Sequence, residues 1–212
     1  MTELTYTLLG DGASDEVLLR HLAWLITQHL NPEISTRAQW ADLRACRQRP
    51  SGLASRIHTS LILYPCDLLF VHRDAENQGP ARRYEEIRKA IEQNCNEPPP
   101  AVCVVPVRMQ EAWLLFDETA IRQAAGNPNG KVKLSLPSPG TVETISDPKA
   151  VLYERLRMAS ELSGRRLKKF SDRQAARRVA EHISDFSPLR QLDAFRHLEK
   201  DLKETCEANG WN

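Results

Sequence analysis

The 212-residue chain has no uninterrupted apolar run approaching the roughly 20 residues that a membrane-spanning helix needs. Its opening, MTELTYTLLG, is acidic rather than basic and lacks the layout of a secretory signal. The 5 cysteines are odd in number and show no C-x-x-C spacing, which argues against a disulfide framework or a zinc site. These absences predict a cytoplasmic protein with reduced thiols and no membrane partner. The P-loop, the G-x-S-x-G elbow and the H-E-x-x-H helix are also missing, and with them three common nucleotide and hydrolase signatures. Net charge is close to balance at +1, so overall charge points to no partner and local asymmetry has to. No internal repeat or low-complexity tract is present.

What is present is an ordinary globular composition, 41% hydrophobic and 27% charged, with one stretch that stands out. Asp67 to Glu76 reads DLLFVHRDAE. Leu68 to Val71 is a short apolar run of the kind buried on both faces of a parallel sheet. It delivers Asp74 and Glu76 to the strand's carboxyl end, where open α/β sheets bind ligands. Strand alternation would aim the two acids to the same side, and carboxylates held that close need a proton or cation between them. A divalent-metal site and a solvated loop are the two readings of this stretch.

Around it the chain alternates strand and helix signals. Leu4–Leu9 reads as a first strand, closed by Gly10-Asp11-Gly12. A helix follows, with Ser14 as N-cap and with Asp15 and Glu16 placed by capping preferences alone. The flanking glycines of Asp11 leave room for close approach of a ligand. Residues 33–40 suggest a short strand and 53–63 a helix ended by Pro65. Residues 81–94 suggest a helix with Pro80 in its first turn, whose Arg83, Glu86 and other charges fit a solvated outer face. AVCVVPV, 101–107, reads as another buried strand, leading to Glu111 at the opening of an apolar helix. A Gly-, Pro- and Asn-rich loop over 125–140, with a short strand at 131–134, makes the best internal boundary. Helices follow from Asp147-Pro148, Ser171 and Ser187-Pro188. The expectation is therefore α/β: a mostly parallel sheet flanked by helices over 1–125, and a helical C-terminal part over 126–212. Basic residues gather at Arg165, Arg166, Lys168, Lys169, Arg173, Arg177 and Arg178, which suits a solvated helical face or a nucleic-acid groove.

Acids thus end three strands: Asp11, then Asp74 and Glu76, then Glu111. A carboxylate-only cluster suits Mg²⁺ or Mn²⁺, and acid-only sites of this kind typically act on phosphodiesters. The stretches LGDGASDE, HRDAEN and QEAWLLFD resemble the Toprim fold, the catalytic core shared by topoisomerases, primases and OLD-family nucleases. They are most similar to a group of small bacterial Toprim-like proteins with V-E-G-x-[ST]-E, D-x-D and E-A-W-L-L-x-D. The resemblance covers about the first 120 residues and extends more weakly into the helical part. Asp11 stands where the family has glutamate, and Glu76 where it has aspartate.

The resemblance implies an Mg²⁺-dependent nuclease acting on DNA or RNA, with a role in anti-phage defence beside an ATPase partner. It implies Asp11 as a general base or bridging acid, Asp74 and Glu76 as metal ligands, and Glu111 as ligand or orienter. Asp15 and Asp117 are further candidates, and Arg73 could neutralise a phosphate or pair with a carboxylate. The alternative is a catalytically inactive binding subunit of the same fold serving the ATPase.

Overall fold

A computed structural model describes residues 3–76, 78–93 and 97–212. The chain divides into two compact units, one of Met1–Val105 with His197–Asn212 and one of Pro106–Arg196. The loop expected to mark the boundary, 125–140, lies inside the second of these.

The first unit is built on a four-stranded, all-parallel sheet in the order β2-β1-β3-β4. Its strands are β1 (Glu3–Leu9), β2 (Ser35–Trp40), β3 (Leu68–His72) and β4 (Ala101–Val104). Helices α1 (Leu18–His29), α2 (Leu53–Leu63) and α3 (Pro80–Glu92) make the crossovers that parallel pairing requires. β3 is buried along its whole length, and β1 from Leu4 onward, as their unbroken apolar runs demand. β2 is the exposed edge, and its sequence STRAQW carries the polar residues that an edge tolerates.

Leu69, Val71 and Cys103 share a core with Ile57 of α2 and Ile87 and Ala90 of α3. Each fully buried large apolar side chain there is worth about 1.5–3 kcal/mol. Burial pushes the Cys103 thiol up to about 11, which leaves it an unreactive packing residue. The described cysteines Cys46, Cys66, Cys103 and Cys206 are free thiols, while Cys95 lies outside the described residues. Register is pinned at the start of β3. The Thr5 N–H donates to the Asp67 carboxylate at 2.8 Å, and the Asp67 N–H donates to the Thr5 carbonyl at 2.8 Å.

β4 stops at Val104, short of the expected 107, because Pro106 cannot extend a ladder. Helix α3 begins with Pro80 itself. The expected end of this helix, Asn94, lies outside the described residues.

In the second unit, a 3₁₀ turn over Gln110–Leu114 is buried throughout. It precedes α4 (Glu118–Ala124), α5 (Pro148–Ser160), α6 (Gly164–Lys168) and α7 (Asp172–His182). A last helix, α8 (Asp193–Ala208), runs in sequence from the second unit into the first. Trp113 is a core residue, edge-on to Phe195 at 5.3 Å, and its indole N–H donates to Glu143 at 3.2 Å.

No strand forms at 131–134. The N–H groups of Lys131 and Val132, which a ladder would use, donate instead to the Glu161 carboxylate, and Leu134 is buried as an anchor. Among the described residues no helix is long and apolar enough to cross a membrane.

The end of β1 generates a stability prediction. A Cβ on Gly10 would lie 2.7 Å from Asp15 Cβ and 2.8 Å from the Trp40 ring, whereas one on Gly12 would meet nothing closer than 3.9 Å. Gly10→Ala is therefore expected to cost about 1–3 kcal/mol. Gly12→Ala should stay within about 0.5 kcal/mol of wild type in urea denaturation.

Candidate active site

The sheet order places a topological switch point between β1 and β3. The chain leaves β1 toward β2 on one side and continues through β3 and β4 on the other. Parallel pairing brings the ends of β1 and β3 level, with Leu9 opposite Val71 and His72 opposite Val104. The loops after these two strands therefore open at one edge, where a crevice suited to ligands forms.

The first loop is shaped by Asp15. Its carboxylate folds back, accepting the Gly12 N–H at 2.9 Å and the Ser14 hydroxyl at 3.0 Å. The residue is 5% exposed. Capping preference alone does not account for such an acid, and Ser14 makes no side-chain cap to the turn that follows it. Gly10 is small so that Asp15 and Trp40 can approach the backbone.

The second loop starts at His72, the last residue of β3 and 1% exposed. Its Nδ1 lies 3.0 Å from the Val104 carbonyl. A carbonyl only accepts, which places a proton on Nδ1 and directs Nε2 into the crevice. Nε2 lies 3.5 Å from Asp74 Oδ1 and 3.7 Å from Asp15 Oδ2. Two carboxylates facing one point repel, and a cation or proton between them relieves that repulsion.

Around this centre runs a chain of alternating charge. Arg56 of α2 holds Asp11 at 2.7 Å and also donates to the Gly10 carbonyl. Arg73 lies 2.8 Å from the other Asp11 oxygen and 2.8 Å from Glu86. Arg83 pairs with Glu86 at 2.8 Å, donates to the Asp74 carbonyl at 3.0 Å, and reaches Glu76 at 3.7 Å. Beside Asp11 a pocket of about 150 Å³ is lined by Gly10, Trp40, Arg44, Arg49 and Arg56.

The expected acids are thus distributed unequally. Asp15 and Asp74 converge on His72. Asp11 stands at the same edge, with both oxygens engaged by guanidinium groups. Glu76 does not share a side with Asp74 by strand alternation. The strand ends at His72, and Glu76 takes a left-handed conformation at φ 47° with its side chain 55% exposed. Glu111 belongs to the second unit, where it is buried and lies 3.3 Å from the Lys149 ammonium. Asp117 caps α4 by accepting the Ala120 N–H at 2.9 Å, which accounts for its position structurally.

His72, Arg56, Arg83 and Glu86 went unrecognised in the sequence. His72 had a signal, since it directly precedes the acidic loop at a strand end. Arg83 and Glu86 stand at i,i+3 on a charged helix, and nothing local shows that their face turns inward. The solvated-face reading of α3 fails at Arg83, which is 6% exposed.

Among the described residues no group of three or more His, Cys, Asp or Glu side chains forms a ready-made metal cage. Mg²⁺ commonly takes only one or two carboxylates, with waters and substrate phosphate completing its shell. The oxygens of Asp15 and Asp74 fit that smaller requirement; Asp11, neutralised by Arg56 and Arg73, fits it less well.

Removing a buried arginine should separate the network from the solvated face. Arg83→Ala is expected to cost about 1–3 kcal/mol, because Asp74 and Glu86 each lose a charge-assisted bond. Arg82→Ala, at an exposed position of the same helix, should stay within about 0.5 kcal/mol, both read by urea denaturation. Comparison of the chain with family models, with curated proteins and with solved structures returns no match.

Proposed function

We propose that the chain is a Toprim-like, Mg²⁺-dependent nuclease that hydrolyses phosphodiester bonds in DNA or RNA. The observation that carries this reading is the convergence of Asp15 and Asp74 on His72 Nε2 at the switch point of a parallel sheet. Asp15 and Asp74 would hold the cation, which when bound supplies charge neutralisation and a more acidic water. His72, fixed by its bond to Val104, presents Nε2 to the space between the two carboxylates. Arg73 and Arg56 stand beside the carboxylates with planar, multiply donating heads suited to phosphate oxygens. A phosphodiester entering the crevice would compete with Asp11 for these guanidinium groups, releasing the Asp11 carboxylate to accept a proton from water. Glu76, exposed and loosely paired with Arg83, is left to the rim.

A second reading has its own support. Asp11 already holds two arginines at 2.7 and 2.8 Å, so its role is satisfied without substrate. A non-catalytic subunit of the same fold, serving an ATPase partner in anti-phage defence, would keep this arrangement permanently closed.

The experiment is cleavage of supercoiled plasmid and of structured RNA with Mg²⁺, Mn²⁺ or EDTA. Activity is expected with metal and not with EDTA. Asp74→Asn and Asp15→Asn should each lower it by at least about 100-fold, the upper range for loss of a partner outside the first coordination sphere. Asp117→Asn, which keeps the cap, should leave it unchanged. Cleavage that survives Asp74→Asn would refute the assignment. Absence of cleavage, together with no calorimetric Mg²⁺ binding, would favour the subunit reading.

A further inference from the structure

We propose that the exposed surface of α6 and the start of α7 binds the phosphate backbone of nucleic acid, as a contact surface of its own in the second unit. Residues 162–178 hold seven cations and one acid, in a chain whose formal net charge is only +1. Helix α6 buries none of its residues, and Arg165, Arg166, Lys168 and Lys169 are all exposed. On α7 the buried residues are Ala175, Ala176, Val179 and Ala180, while Arg173 and Arg177, one turn apart, stay exposed.

The two acids that flank α6 in sequence are already engaged. Glu161 is occupied by the N–H groups of Lys131 and Val132. Asp172 is gripped by Arg157 through two bonds, one of them 2.8 Å long. Among the described residues no ion pair involves Arg165, Arg166, Lys168 or Lys169.

The exposed faces of other helices in this protein look different. Helix α3 pairs Lys89 with Glu85, and α8 pairs Lys200 with Glu204 and Lys203 with Glu207, each at i,i+4. Mixed signs of that kind serve solubility. Cations of one sign without ion pairs among the described residues, as at Arg165, Arg166, Lys168 and Lys169, instead attract a polyanion. An anionic membrane is the weaker match, because interfacial helices insert an exposed apolar face. The large exposed apolar side chains are Ile62, Leu63 and Val132, none of them in α6 or α7.

This inference rests on the proposed class of substrate and not on the cleavage chemistry, so it is tested by binding alone. Full-length protein is titrated in EDTA against a labelled 20-base-pair DNA duplex and the matching RNA duplex, at several salt concentrations. The variant carries Arg165→Gln, Arg166→Gln, Lys168→Gln and Lys169→Gln. A charge-keeping control carries Arg165→Lys, Arg166→Lys, Lys168→Arg and Lys169→Arg.

Each phosphate contact contributes about 0.9 to the log–log salt slope. The glutamine variant is expected to lower that slope by about 2–4 and to weaken binding at least tenfold, with thermal stability unchanged. The control should bind as wild type does. Affinity and slope equal to wild type in the glutamine variant would overturn the proposal. So would loss of binding to phosphatidylserine vesicles with duplex binding intact. Wild type that binds through this surface yet cleaves nothing leaves the inference standing and removes the nuclease reading.

Discussion

The parallel pairing of β1 with β3 is the constraint from which the rest follows. In an antiparallel pair the loops after these strands would leave from opposite ends of the sheet, and Asp15 and Asp74 could not face one imidazole. Pairing in parallel, with Leu9 level with Val71, brings both loops to one edge. The reciprocal bonds between Asp67 and Thr5 hold that register at the other end of the strands. A slip of one residue would turn His72 to the opposite face and dismantle the site. The cost of the arrangement is the long crossover of each strand, met by burying α2 and α3 against Leu69 and Val71.

On that edge, charge is balanced locally rather than avoided. Four carboxylates stand close in the first unit, at Asp11, Asp15, Asp74 and Glu86, and three arginines are threaded between or beside them. Holding such acids together without partners would raise their mutual repulsion, and the stability margin it would draw on is only about 5–15 kcal/mol. The arginines therefore have a structural task before any substrate arrives. The same guanidinium groups have the geometry to bind a phosphate, so under the proposed function stability and binding would draw on one set of side chains. That overlap is why the nuclease and scaffold readings share their residues and differ in whether a cation is held and Asp11 released.

Much of this was readable along the chain. The apolar run at Leu68–Val71 announced a buried parallel strand, and Gly10-Asp11-Gly12 announced the end of β1. Asp147 was legible as a helix start and caps α5, whereas Asp117, read as a site candidate, is a cap as well. Where the reading failed, the reason was physical. Glu76 was placed beside Asp74 by assuming that strand alternation continues, but the ladder ends at His72 and the backbone turns left-handed. Arg83 and Glu86 looked like solvent charges because their helix is charged on most faces, and inward rotation is set by packing on the sheet. Lys131–Leu134 has strand composition, yet a side chain thirty residues away, Glu161, takes its N–H groups.

Periodicity, capping residues and apolar runs are local properties, and they settled the α/β class, the order of elements and the presence of acids at strand ends. Which acids meet was decided in three dimensions. It depends on strand order, on the end point of each ladder and on which carboxylates are claimed by arginines from distant segments. Strand order and distant arginine partners are not properties of a window of sequence. A carboxylate's role is set by its nearest cation, and for Asp11 the partners at Arg56 and Arg73 are brought near by the fold alone.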